Sequence, residues 1–333
     1  GPALRALNVP AEVLPYALLY LRIYLLGVPV ILLYNFEAAI FRSVGDTRVP
    51  LQTLAFSGVL NVLLNLFFVI VLHMTVNGVA TATVLSNAIS SVLLFVRLRR
   101  SDKAIHLEWT ALRIDRRSLQ KILQIGIPAG IQSAVFSISN IVIQSAINSL
   151  GTVVMAASSA AFNIEVVAYD VLNSFSQACT TFVGQNYGAG KLDRCRKTLV
   201  LCLVEDALAS GIAILLVLGS GHFLLSLFNR DPEVIALGYT RLMTVFTAYF
   251  FSMLYEVMSG YLRGFGISLV PALLTMLGVC GVRILWIATA FPRSRTFQTI
   301  LLAYPLSLAA TAVLILLALL IYHPSRRTKG ETV

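Results

Sequence analysis

Several residue types that do chemistry fall inside stretches of this 333-residue chain that are otherwise apolar. Asp170 shares a helix-period stripe with Asn163, Asn173, Ser174 and Gln177, and Glu165 projects more than a right angle away from it. An ionised, unpaired carboxylate at that depth costs on the order of a few kcal/mol. A carboxyl that takes up a proton there can couple proton binding to a conformational change, so Asp170 and Glu165 are candidates for coupling. The alternative is a buried cation, Arg241 or Arg283, that satisfies one of them. In the stretch before, Ser133, Ser137, Asn140, Gln144 and Asn148 form a narrow uncharged stripe. It suits either the wall of a solute cavity or hydrogen bonding between helices.

Two further carboxylates occur in an internal repeat. Tyr20 to Pro50 realigns on Tyr239 to Pro271, pairing Tyr20 with Tyr239, Arg22 with Arg241 and Glu37 with Glu256. After a two-residue slip, Arg42 pairs with Arg263, Gly45 with Gly266 and Pro50 with Pro271. Charges repeated in register inside apolar segments are the mark of two-fold membrane proteins. Glu37 and Glu256 precede Arg42 and Arg263 closely enough for structural ion pairs, and a proton or substrate site is the other reading. Arg22 and Arg241 fit snorkelling or paired residues.

The elements that position these residues follow from composition. A chain that is 58% hydrophobic and 12% charged, with mean hydropathy +0.84, has too much apolar surface for one soluble core. Stretches of spanning length, about 20 residues, fall near 14–41, 50–73, 77–98, 120–148, 152–182, 197–219, 236–262, 269–291 and 298–321. The expected fold is an all-α polytopic membrane protein of nine helices. The net charge of +10 is distributed by topology and not for nucleic acid. Arg42, Arg48, the run from Arg97 to Lys121, Lys191 to Lys197, Arg263 and Arg326 to Lys329 fall on one side, the cytoplasmic one by the positive-inside rule. The C-terminus is therefore expected inside.

Residues 99–117 form the one long polar connection, expected as a short amphipathic helix on the cytoplasmic surface with Trp109 as its anchor. The organisation expected is 1–98 as three helices, 99–117 as linker, 118–324 as six helices and 325–333 as a cytoplasmic tail. The repeat makes six helices the natural unit, so the first unit is expected to lack its first three. Cys179, Cys195, Cys202 and Cys280 show no metal spacing, and neither a disulfide nor a metal is expected.

The runs GDTRVP, NVLLN, GVATATVLS, GIPAG and FVGQNYGAGKLDRCRK together resemble the multidrug and toxic compound extrusion (MATE) family. The stretch VRILWIATAFPRSRTFQTILLAYPLS, with Arg283, Trp286, Tyr304 and Pro305, is similar to its DinF-like bacterial branch. The resemblance implies a two-lobed bundle, mapped here onto the family's helices four to twelve, with the first lobe incomplete. It implies exchange of inward H+ or Na+ for outward organic cations and other amphipathic drugs by rocking between two open states. It also places Asn61, Asn65 and Ser86 where some members bind a cation, although Asn65 stands at a frequent Asp. Phe136 occupies a position that is acidic in the NorM-like branch. The setting implied is the bacterial cytoplasmic membrane, with lipid and small drugs as partners, a single protomer and no cofactor beyond the coupling ion.

Two other functions compete. Flipping of a lipid-linked oligosaccharide calls for a more cationic cavity, and the polar stripes contain no Arg or Lys. An intramembrane lipid-modifying enzyme needs clustered catalytic groups, whereas His73, His106, His222 and His323 are scattered.

Overall fold

Nine helices long and apolar enough to cross a membrane occur in the computed structural model, which describes residues 12, 14–101, 105–108, 110, 112–322 and 324. They are α1 (Leu14–Ser43), α2 (Arg48–Val71), α3 (Val76–Arg99), α4 (Arg116–Asn148), α5 (Thr152–Gly188), α6 (Leu192–Ser226), α7 (Pro232–Gly264), α8 (Leu269–Thr289) and α9 (Phe297–Tyr322). The nine expected stretches each fall on one of these helices, and the chain is an integral membrane protein. Trp109, His323 and the tail 325–333 lie outside the described residues. The chain divides into two compact units, 1–113 and 114–333.

In the first unit α1 packs on α3 where Gly27 removes a side chain; a Cβ there would sit 2.2 Å from a methyl of Val84. Lipid tails are as apolar as the helices, so association relies on such close approach more than on burial of greasy surface. Below it Tyr34, Ala38 and Phe41 meet Leu94 and Leu98. The linker departs from expectation: its described residues 105–108 and 112–115 are turn and coil, not an amphipathic α-helix. Ile105 and Leu107 pack on the Leu94–Leu98 cluster, and the Leu107 N–H donates to the Leu98 carbonyl at 3.3 Å. Two apolar residues spaced by two share one side only in extended chain, so burying both against the end of α3 draws this segment out of a helix.

The second unit is built around α7, whose Leu242, Val245, Phe246, Tyr249 and Met253 lie in its main core. Small residues again set the spacing. A Cβ on Gly260 would meet the Ser176 carbonyl of α5 at 2.4 Å, and one on Gly278 of α8 would meet Thr311 of α9. At Met276–Gly281, α8 widens into a π-helical turn. Helix starts are capped by chemistry legible in the chain: Asp231 accepts from the Glu233 N–H ahead of Pro232, and Asp115 accepts from the Ser118 N–H at 2.8 Å. The Ser118 side chain and then its N–H hold the Asp115 carboxyl below the usual carboxylate range.

Helix ends use one device three times. Gly45, Gly190 and Gly266 take φ of 81°, 74° and 84°, the left-handed region that favours glycine. Each is followed by a residue whose N–H reaches back five positions: Asp46 to Phe41, Lys191 to Asn186 and Ile267 to Leu262. The GQNYGAGK run is thus a helix-ending turn.

Candidate functional site in the C-terminal unit

Two adjoining cavities lie among α4, α5, α7, α8 and α9 and share Asn140, Phe162 and Tyr304 in their walls. One, of 240 Å³, is lined by Phe136, Tyr249, Tyr255 and Arg283 among others. The other, of 400 Å³, is lined by Gln144, Ser158 and Arg241.

Charge between them is organised by Arg241 of α7, which is almost wholly buried. Its Nε and a terminal nitrogen donate to the two oxygens of Glu165 at 2.7 and 2.8 Å, a bidentate pair. The other terminal nitrogen donates to Ser158 Oγ. Of the two partners open to Glu165 on sequence, the structure selects Arg241. Tyr304 stands between two guanidiniums, with the Arg241 carbon 5.3 Å and the Arg283 carbon 4.4 Å from its ring centroid. Arg283 reaches this position directly after the π-helical turn of α8, and its Nε donates to Ser307 Oγ at 3.0 Å.

The candidate residues read from sequence separate into groups. Asn140 and Gln144 line the cavities, whereas Ser133 and Ser137 lie exposed on α4 away from them. Asn163, Asp170 and Gln177 share the exposed face of α5 with the half-buried Asn173, opposite the buried Glu165. Glu256 is buried, accepts from the Tyr169 hydroxyl at 2.8 Å and lies 3.8 Å from Arg263. Its counterpart Glu37 is also buried, but its described donor is Ser91 at 2.8 Å and not Arg42. In the first unit Asn61, Asn65 and Ser86 do come together: Asn65 donates to Asn61 at 3.0 Å, and Asn61 donates to Ser86 at 3.3 Å. Among the described residues no group of three His, Cys, Asp or Glu has the arrangement of a metal site.

The uncharged stripes were the cavity wall that the sequence offered; Arg241 and Arg283 also line these two cavities. The stripe on α4 supplies one wall only; the rest comes from α5, α7, α8 and α9, and the polar residues of the last three form no periodic pattern. The signal that marks them is the single arginine in an apolar run, which is costly enough to imply a task.

The C-terminal unit is a bundle of membrane-spanning helices around two aromatic-walled cavities. The MatE family model matches residues 128–288, and the model described as Lipid II flippase MurJ matches residues 13–140. The probable multidrug resistance protein YoeA of Bacillus subtilis is 27% identical over 290 residues, 84% of this chain and 62% of its own length. The multidrug export protein MepA of Staphylococcus haemolyticus is 22% identical over 255 residues, 77% of this chain and 56% of its own. A crystal structure of MATE in complex with MaL6 superposes with a TM-score of 0.88 at 18% identity, covering 96% of this chain and 73% of that one. Over residues 128–288 the chain is thus similar to the MatE family, and the two relatives bear multidrug resistance and multidrug export names. It spans under two thirds of the length of these two curated relatives.

Proposed function

We propose that the chain is part of a cation-coupled antiporter that exports amphipathic drugs, organic cations among them, by alternating access with H+ or Na+ as the coupling ion. The observation that carries this reading is the pair of largely apolar, aromatic-walled cavities with a few polar groups in the C-terminal unit, the character of sites for drug-sized molecules. The multidrug names of YoeA and MepA support it. Coupling is assigned first to Asp170, with Glu165, Glu256, Glu37 and the Asn61, Asn65 and Ser86 cluster as supporting members. The setting is the bacterial cytoplasmic membrane, with a single protomer and the 99–117 linker and C-terminus inside. A cysteine at Ser101 that an impermeant thiol reagent labels from outside intact cells overturns that orientation.

Flipping of a lipid-linked oligosaccharide is the second reading. It draws on the two arginines at the cavities and on the MurJ match over 13–140.

The test is ethidium movement in inverted vesicles under an imposed H+ or Na+ gradient, with a version of the chain extended to the relatives' length. Asp170→Asn keeps shape and hydrogen bonding and removes the titratable group. Gradient-driven transport is expected to fall severely while ethidium binding persists. Glu165→Gln, whose face is buried, is the comparison. Transport by Asp170→Asn with unchanged dependence on the gradient moves coupling elsewhere.

A further inference from the structure

The charges around the C-terminal cavities do not balance. Arg241 and Glu165 neutralise one another through two hydrogen bonds. Arg283 is left over. Arg241 pairs with Glu165 and Arg263 with Glu256, and Arg283 enters neither ion pair. Its residue exposure is 8%, so its surroundings are protein and the cavity it lines. Ser307 occupies Nε, and no described residue accepts from the two terminal nitrogens. The Tyr304 ring at 4.4 Å offers a cation–π contact, which offsets only part of the cost of a desolvated cation.

We propose that Arg283 is the recognition group of an anion subsite in this cavity, one that takes an aromatic amphiphile bearing a carboxylate. Because Ser307 holds the Nε edge, the end-on fork of the two terminal nitrogens remains for a planar, two-oxygen acceptor. Phe136, Tyr249 and Tyr255 enclose the space beside it for an aromatic body, and Asn140 supplies a further polar group. The same cavity disfavours a cationic group at this end, since a second positive charge beside Arg283 has no carboxylate there to balance it except the already paired Glu165. The inference rests on the exporter reading and names the substrate class for one part of its cavity.

The experiment uses the chain as it stands, in phosphatidylcholine nanodiscs with protein-free nanodiscs as the blank. Equilibrium dialysis compares three probes of one shape: pyrenebutyrate, its neutral amide and pyrenebutylamine. The acid is expected to bind about tenfold more tightly than the amide, the worth of one charge-assisted fork. Arg283→Gln is expected to remove that preference, so that acid and amide bind alike. The comparison of acid with amide in the unsubstituted chain needs no variant, so a misfolded Arg283→Gln does not shield the proposal. Equal binding of acid and amide, or preference for the amine, overturns the anion subsite and leaves the exporter reading standing. Failure of all three probes to bind removes the cavity reading itself. Displacement of the acid when phosphatidylglycerol is introduced into the nanodisc overturns the drug assignment in favour of a lipid phosphate.

Discussion

The two copies of the internal repeat have kept their turns and parted in their charges. After α1 and after α7 the chain leaves its helix through the same glycine turn, with Gly45 at φ 81° and Gly266 at 84° and the same reach of five residues behind them. Both repeated glutamates are buried and accept from a hydroxyl, Ser91 for Glu37 and Tyr169 for Glu256. The repeated arginines differ: Arg22 is exposed, and Arg241 is the centre of a buried network. Glu165 and Ser158, which satisfy Arg241, come from α5, and none of the three helices described in the first unit repeats α5. A repeat therefore preserves what the local backbone demands. What a side chain does is decided by the helices that pack around it.

The largest test of that difference is at the arginine pair. Glu165→Gln strands Arg241 in a buried site, and breaking one half of such a pair costs about 3–5 kcal/mol. A thiol-reactive dye reads the unfolding directly, because Cys179, Cys195, Cys202 and Cys280 are free, buried and all in this unit. Arg22→Gln, on an exposed position, is expected to stay within about 0.5 kcal/mol by circular dichroism melting. Comparable losses at the two sites would mean that Arg22 has a buried role that its exposure hides.

Next in size are the close helix contacts. An added methyl at Gly260 meets the Ser176 carbonyl oxygen at 2.4 Å, and a backbone oxygen moves only if the helix does. At Gly27 the obstacle is the Val84 side chain at 2.2 Å, stiff at χ1 but able to shift. Gly260→Ala is expected to cost about 1–3 kcal/mol, and Gly27→Ala less. The reverse order in thermal unfolding would show the first unit to be the more rigidly packed.

How much of this was legible follows the same division. Helix number and approximate limits, and the repeat with its paired Gly45 and Gly266, could be read because each is a local pattern of hydropathy or residue type. Arg241 as a partner for Glu165 was one of two open choices, and only packing decided between them. Arg283 and Tyr304 stood in the quoted α8 and α9 stretch, but no period connects them to Asn140 on α4; the cavity is made by helices distant in sequence. The linker misled because Ile105 and Leu107 were assigned to a membrane-surface helix, when a nearer apolar cluster at the foot of α3 takes them in.

The smallest expected effect tests the part the repeat has kept. Gly45→Ala and Gly266→Ala each force an L side chain into the left-handed region, a strain of roughly 1–2 kcal/mol. No atom lies within 4 Å of a Cβ built on Gly266, so the cost there is conformational and not steric. The two substitutions are expected to lower stability by equal amounts, within about 0.5 kcal/mol of each other. Circular dichroism melting of each single variant and of the double variant checks this, the two sites being in separate units whose losses should add. A loss at Gly266 well above that at Gly45 would show that the second turn also carries packing, through the Arg263 and Glu256 contact just before it. The common backbone device would then be coupled to the charge network in one unit only, and the separation of turn from charge would fail there.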